Sequence, residues 1–124
     1  MSRRGMTPKG VRAWKNFERE VVRELCKLAP SARRCLQYQR DHGMPDVTAG
    51  VLWVECKSGK QHRPVERVYQ ETVAKTPGRR SSFVPAVVTK AGRRKVITLA
   101  LADFVRIAGA PNQARRQMWK GGQP

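Results

Sequence analysis

The sequence predicts a single α/β domain, and three observations carry that expectation. Apolar residues recur at three- and four-residue spacing in one stretch near the N-terminus. Short runs rich in β-branched residues follow in the middle and late parts of the chain. Turn residues between these runs divide the chain into helix, three strands, helix, two strands and helix. At 124 residues the chain is long enough for one modest core.

Residues 1–12 (MSRRGMTPKGVR) read as a basic arm. Residues 13–28 read as the first helix, because Trp14, Phe17, Val21, Val22, Leu25 and Leu28 share one face. Pro30 ends it. Glu18 falls at the edge of the apolar stripe, whereas Glu20 and Glu24, interleaved with Arg19 and Arg23, read as solvated charges. Residues 32–39 alternate imperfectly and read as the first strand, with Cys35 and then Leu36 or Tyr38 facing a core. A polar loop at 40–43 leads to Pro45 and Asp46. Strands at 46–49 and 51–58 flank Gly50, a natural turn residue.

Residues 65–75 read as the second helix, with Pro64 near its start and Gln70 in its middle. A basic loop (TPGRRSS) precedes a strand at 83–89, the turn KAGRR, a last strand at 95–101 and a short helix at 102–107. From residue 109 the chain has few apolar residues and reads as a loosely ordered basic tail. Trp119 within it is a packing anchor, a DNA-stacking residue or a dimer contact. The expected organisation is therefore an arm (1–12), a folded domain (13–107) and a basic tail (108–124).

Composition narrows the partner. Twenty-six Lys and Arg against nine Asp and Glu give a net charge of +17, and the isoelectric point is about 11.3. Such self-repulsion calls for a polyanion, nucleic acid first and an anionic membrane surface second. No stretch approaches the roughly 20 apolar residues of a membrane helix. The basic N-terminal run reads as a nucleic-acid arm and not as a targeting peptide. Cys26, Cys35 and Cys56 lack metal-ligand spacing and read as reduced thiols of an intracellular protein. His42 and His62 stand far apart in polar loops and carry no expected metal role.

The chemistry concentrates in residues 43–60, GMPDVTAGVLWVECKSGK. Strand side chains alternate faces, so Glu55 and Lys57 point one way, with Trp53, while Val54 and Cys56 point the other. If the two strands pair as a hairpin about Gly50, Asp46 and Glu55 converge at one end of the ribbon. Two carboxylates beside a lysine on a sheet rim suit a hard divalent cation, Mg²⁺ or Mn²⁺. Asp41 is a rival carboxylate, less fixed because it sits in a Gly-bearing loop.

This stretch resembles the catalytic core of the PD-(D/E)xK nuclease superfamily. The pattern is Pro45-Asp46, an eight-residue gap and Glu55-Cys56-Lys57, with a Gly-x-Pro-Asp entry, an apolar VLWV run and a Lys-Ser-Gly-Lys exit. The phrase Trp14-Lys15-Asn16-Phe17-Glu18-Arg19 resembles the first-helix motif of archaeal and phage Holliday junction resolvases in that superfamily. The late segments PAVVTK and VITLALADF resemble the last strands of phage members. The likeness covers roughly residues 9 to 107.

The resemblance implies a restriction-endonuclease-like fold, a mixed central sheet of about five strands flanked by helices. It implies a Mg²⁺-dependent endodeoxyribonuclease, with Mn²⁺ able to substitute, acting on four-way junctions or other branched DNA. Asp46 and Glu55 would bind the metal, with the backbone carbonyl of Cys56. The resemblance selects Glu18 over Glu20 to complete the acidic cluster. Lys57 would orient or polarise the attacking water. Gln70 matches a glutamine that related nucleases carry on the helix after this strand, and a solvated helix glutamine is the competing reading. Symmetric cutting of a junction implies a homodimer, most naturally two-fold.

Arg3, Arg4, Lys9, Arg12 and Lys15 on the arm and first helix, with Arg40, Lys60 and Arg63 around the site, are collective candidates for DNA contact. A cytoplasmic location follows, in the host cell if the protein is viral. The alternatives are another PD-(D/E)xK nuclease of nicking, repair or restriction type, or a non-catalytic basic nucleic-acid-binding protein.

Overall fold

The computed structural model describes residues 8–59, 64–78 and 82–120, with side chains from residue 12 onward. The first helix, α1, spans Pro8–Leu25 and buries Trp14, Phe17 and Val21, the stripe its spacing defines. That stripe lies on a five-stranded sheet formed by β1 (Arg33–Arg34), β2 (Val47–Ala49), β3 (Leu52–Lys57), β4 (Val84–Ala91) and β5 (Arg94–Thr98). Strand order follows chain order. Only β3 and β4 run parallel, and α3 (Val65–Lys75) is the crossover that a parallel pair requires. The remaining neighbours are antiparallel. The α/β expectation and the mixed five-stranded sheet flanked by helices therefore agree with the structure.

The core lies between α1 and the sheet, where Phe17 and Val21 meet Leu52, Val54, Cys56, Val84, Ala86 and Val88. α3 packs across β4 and buries Val68 and Thr72. Trp53, of opposite parity to Val54, meets Phe83 edge-on with ring centroids 5.0 Å apart. The chain closes with α4 (Leu101–Ala108) and α5 (Asn112–Met118).

Three expectations need correction. Residues 32–39 do not form a full strand: β1 has two residues, and α2 (Gln37–Asp41) follows at once. β2 offers only three residues for pairing, and of the three residues expected to face a core only Cys35 is buried, while Leu36 and Tyr38 are 61% and 62% exposed. Local hydrogen bonds then favour a helical turn: the Leu36 N–H donates to Gln39 Oε1 at 2.7 Å, and Gln37 Nε2 donates to Asp41 Oδ1 at 3.0 Å. The segment after residue 108 is not a loose tail as far as Lys120. Helix α5 docks there, with Ala110 buried and Met118 and Trp119 packed on the core. The end of the expected arm (1–12) also differs, since residues 8–12 already belong to α1. Among the described residues no helix is long and apolar enough to cross a membrane.

Candidate active site

The β2–β3 hairpin builds the site. Gly50 turns it with φ +55°, a left-handed conformation that glycine adopts without cost. Val47 pairs with Val54, Thr48 with Trp53 and Ala49 with Leu52. One further step in this register sets Asp46 opposite Glu55, and residues directly opposite share a face. Asp46 stands close enough for its charge to act on the Glu55 carboxyl. Asp46 is buried, and its Oδ2 accepts the Cys56 backbone N–H at 2.9 Å. The Asp46 carbonyl accepts the Cys35 N–H at 3.0 Å, which fixes the backbone at the strand's start.

The pair is electrostatically uneasy. Glu55 is pushed up to about 7, first by burial and then by the facing Asp46 charge. Lys75 and Lys57 pull it back part of the way. Lys57 lies two residues on along β3, on the same face. Lys75 comes from the end of α3 and was not singled out in the sequence. Its signal was legible there: Val68, Thr72 and Lys75 are spaced as one helix stripe, whose first two members are buried.

Glu18 stands elsewhere. It is fully buried on α1, and its Oε1 accepts Arg40 Nη2 at 2.8 Å and Arg34 Nε at 3.0 Å. Arg40 also lies 5.1 Å over the Trp14 ring and brings its Nε within 3.8 Å of Asp46 Oδ1. Arg40 therefore couples the α1 carboxylate to the hairpin carboxylate. Arg34 is the second residue that the sequence reading missed. A buried carboxylate on a core stripe needs a counter-charge from the neighbouring strand, and that requirement is the signal.

Cys56 sits between these groups. Its thiol faces the α1 core, away from Glu55, and is pushed well above its usual range by burial and by Asp46, Glu18 and Glu55 in turn. Any metal contact from this residue is therefore through its carbonyl. Gln70 is exposed and lies about 200° around α3 from Val68, off the face that carries Lys75. The structure does not bring it to the carboxylates. Asp41 is exposed and holds Gln37, outside the site. Among the described residues no group of three or more His, Cys, Asp or Glu is gathered as a metal ion needs. The acidic centre is thus a pair, with Glu18 behind it.

The cationic candidates divide as well. Arg12 is exposed on α1, Lys15 is half-buried there, and Arg40 is committed to Glu18 and Asp46. Lys9 lies in α1 with its side chain outside the described ones. Arg3, Arg4, Lys60 and Arg63 lie outside the described residues. No family model matches the chain, and no curated protein or solved structure matches it either.

Proposed function

We propose that the protein is a Mg²⁺-dependent endodeoxyribonuclease of the PD-(D/E)xK type that cuts branched DNA as a Holliday junction resolvase. The observation that carries this reading is the Asp46–Glu55 pair, two carboxylates set opposite each other by strand register, in a chain of net charge +17. A protein that only held phosphates would gain nothing from two facing carboxylates on its sheet rim. The order of helix, three antiparallel strands, crossover helix and parallel strand supports the superfamily fold.

The donor set fits the expected ion. It consists of oxygen, and Mg²⁺ commonly takes one or two carboxylates while keeping water and substrate phosphate. When bound, the ion supplies charge relief at the scissile phosphate and a more acidic attacking water. Asp46 is oriented for this by the Cys56 N–H and by Arg40. Glu55, with its carboxyl raised to about 7, would lose its proton on becoming a ligand. Lys57 orients the water and offsets charge on the phosphate. Glu18 acts through Arg40 as a positioning residue and not as a direct ligand.

A two-fold homodimer would give the paired cuts a junction needs. Val96 and Ile97 on the edge strand β5, with Leu101, Phe104 and Val105 of α4, are exposed and support a second copy there. The site of action would be the cytoplasm, of the host cell if the protein is viral.

The test is cleavage of a synthetic four-way junction, matched duplex and single strand, in Mg²⁺ and in EDTA, by wild type and Asp46→Asn. Paired, metal-dependent cuts on the junction, lost in the variant, are expected. Equal cutting of plain duplex would retain the nuclease and remove the junction preference. Tight binding with no cleavage in Mg²⁺ or Mn²⁺ would overturn the catalytic reading.

A further inference from the structure

We infer that a groove at the turn end of the β2–β3 hairpin binds an unpaired stretch of DNA, a site separate from the carboxylate pair. The inference rests on the DNA-nuclease reading for the identity of the polyanion. The groove encloses about 700 Å³. Its floor is apolar, made by Leu28, Pro30 and Trp119, and its rim carries Arg115, Arg116 and Lys120. None of its lining residues is acidic.

The groove is a built feature. The Val51 N–H donates to the Met118 carbonyl at 2.9 Å, which ties the end of α5 to the hairpin turn. A Cβ at Gly50 would collide with the Met118 carbonyl and come within 2.9 Å of Trp119 Cα, so the close approach needs glycine. Arg115 Nε donates to the Ala110 carbonyl at 3.0 Å, which restrains that side chain beside the groove. Among the described residues Arg116 and Lys120 have no ion-pair partner, so their charges are available to a ligand.

The combination of surfaces selects the occupant. Phosphates of any nucleic acid would satisfy the three cations, but duplex DNA keeps its base faces stacked and has no use for an apolar floor. An unpaired base lays its face on apolar and aromatic groups while its phosphates meet the rim. A second copy of this chain is disfavoured in a symmetric contact here, because the two cationic rims would repel. Along β3 the turn lies roughly 13 Å from Glu55, and along α1 the helix end at Leu25, three residues before Leu28, lies about 10 Å beyond Glu18. One branched substrate can therefore occupy both places, with its unpaired strand in the groove and a duplex arm at the carboxylates.

The experiment uses the full chain carrying Asp46→Asn, in EDTA, so that binding is read without cleavage. A labelled oligothymidylate and a duplex of the same length are titrated at several salt concentrations. Arg116→Glu with Lys120→Glu is compared with Arg93→Glu with Arg94→Glu, an equal charge change at exposed positions in the β4–β5 turn and at the start of β5. Oligothymidylate affinity is expected to fall at least about tenfold more for the groove pair, with the salt slope reduced by roughly 1.4. Leu28→Ser, at a position 53% exposed, is expected to weaken oligothymidylate several-fold and leave duplex unchanged. Equal losses for the two charge pairs would overturn the site. So would a groove pair that alters self-association of the free protein but not oligothymidylate affinity, which would give the groove to a second copy. A chain that cuts no DNA yet loses oligothymidylate only through the groove variants would retain the groove and lose the nuclease reading.

Discussion

The two acidic regions of this molecule use the same chemistry in opposite ways. On α1, Glu18 is fully buried and is met by two arginines, Arg40 at 2.8 Å and Arg34 at 3.0 Å. On the hairpin, Glu55 is half-buried opposite another carboxylate and rises to about 7. The first arrangement satisfies charge with charge from within the chain. The second brings like charges together and offsets them in part: Lys75 and Lys57 act on Glu55, and Arg40 Nε stands 3.8 Å from Asp46 Oδ1. On the proposed reading, the Glu18 cluster is the support and the Asp46–Glu55 pair is the place for an external cation.

The largest expected effect separates these roles by activity. Asp46→Asn should lower cleavage by more than about 100-fold, the upper range for groups that only support a metal ligand. Arg40→Lys should fall within about 10- to 100-fold in Mn²⁺ affinity and be partly rescued relative to Arg40→Ala. By stability the order reverses. Arg40→Ala leaves Glu18 buried with one arginine fewer and should cost about 3–5 kcal/mol in urea unfolding.

Glu55→Gln should instead stabilise the metal-free protein at alkaline pH. The Glu55 carboxyl is raised when folded, so its contribution is full below its unfolded value of 4.5 and is lost as pH rises through about 7. Wild type should lose roughly 2–3 kcal/mol across that window relative to Glu55→Gln, measured by urea unfolding in EDTA. The smallest effect belongs to Lys75→Met. Removing that charge should move the midpoint of the same profile upward by less than about one pH unit.

The hairpin was legible in the sequence because its signals agree at every level. Alternation fixes the faces, Gly50 fixes the turn, and register then follows with Asp46 opposite Glu55. The α3 span was equally legible at 65–75, bounded by Pro64 and a basic loop. What the sequence could not convey was long-range pairing. The attachment of Glu18 to Arg34 and Arg40 spans 16 and 22 residues and has no local pattern. The α5 docking surface was also obscured. Ala110, Ala114 and Met118 recur every four residues, but two alanines are too small to read as an apolar stripe. Around residue 36, an apolar-polar alternation suggested a strand, and the brevity of β2 removed the partner that would have rewarded it.

The most direct test of the account is Mn²⁺ binding by the metal-free protein, followed calorimetrically at about pH 6 and pH 8 in buffers of different ionisation enthalpy. Wild type is expected to bind at both, more weakly at the lower pH, and to release about one proton per ion there as Glu55 becomes a ligand. Asp46→Asn and Glu55→Gln should lose this binding, while Gln70→Ala should retain it. Mn²⁺ affinity unchanged in Asp46→Asn, or binding at pH 6 without proton release, would contradict the claim that the facing carboxylates are the cation site.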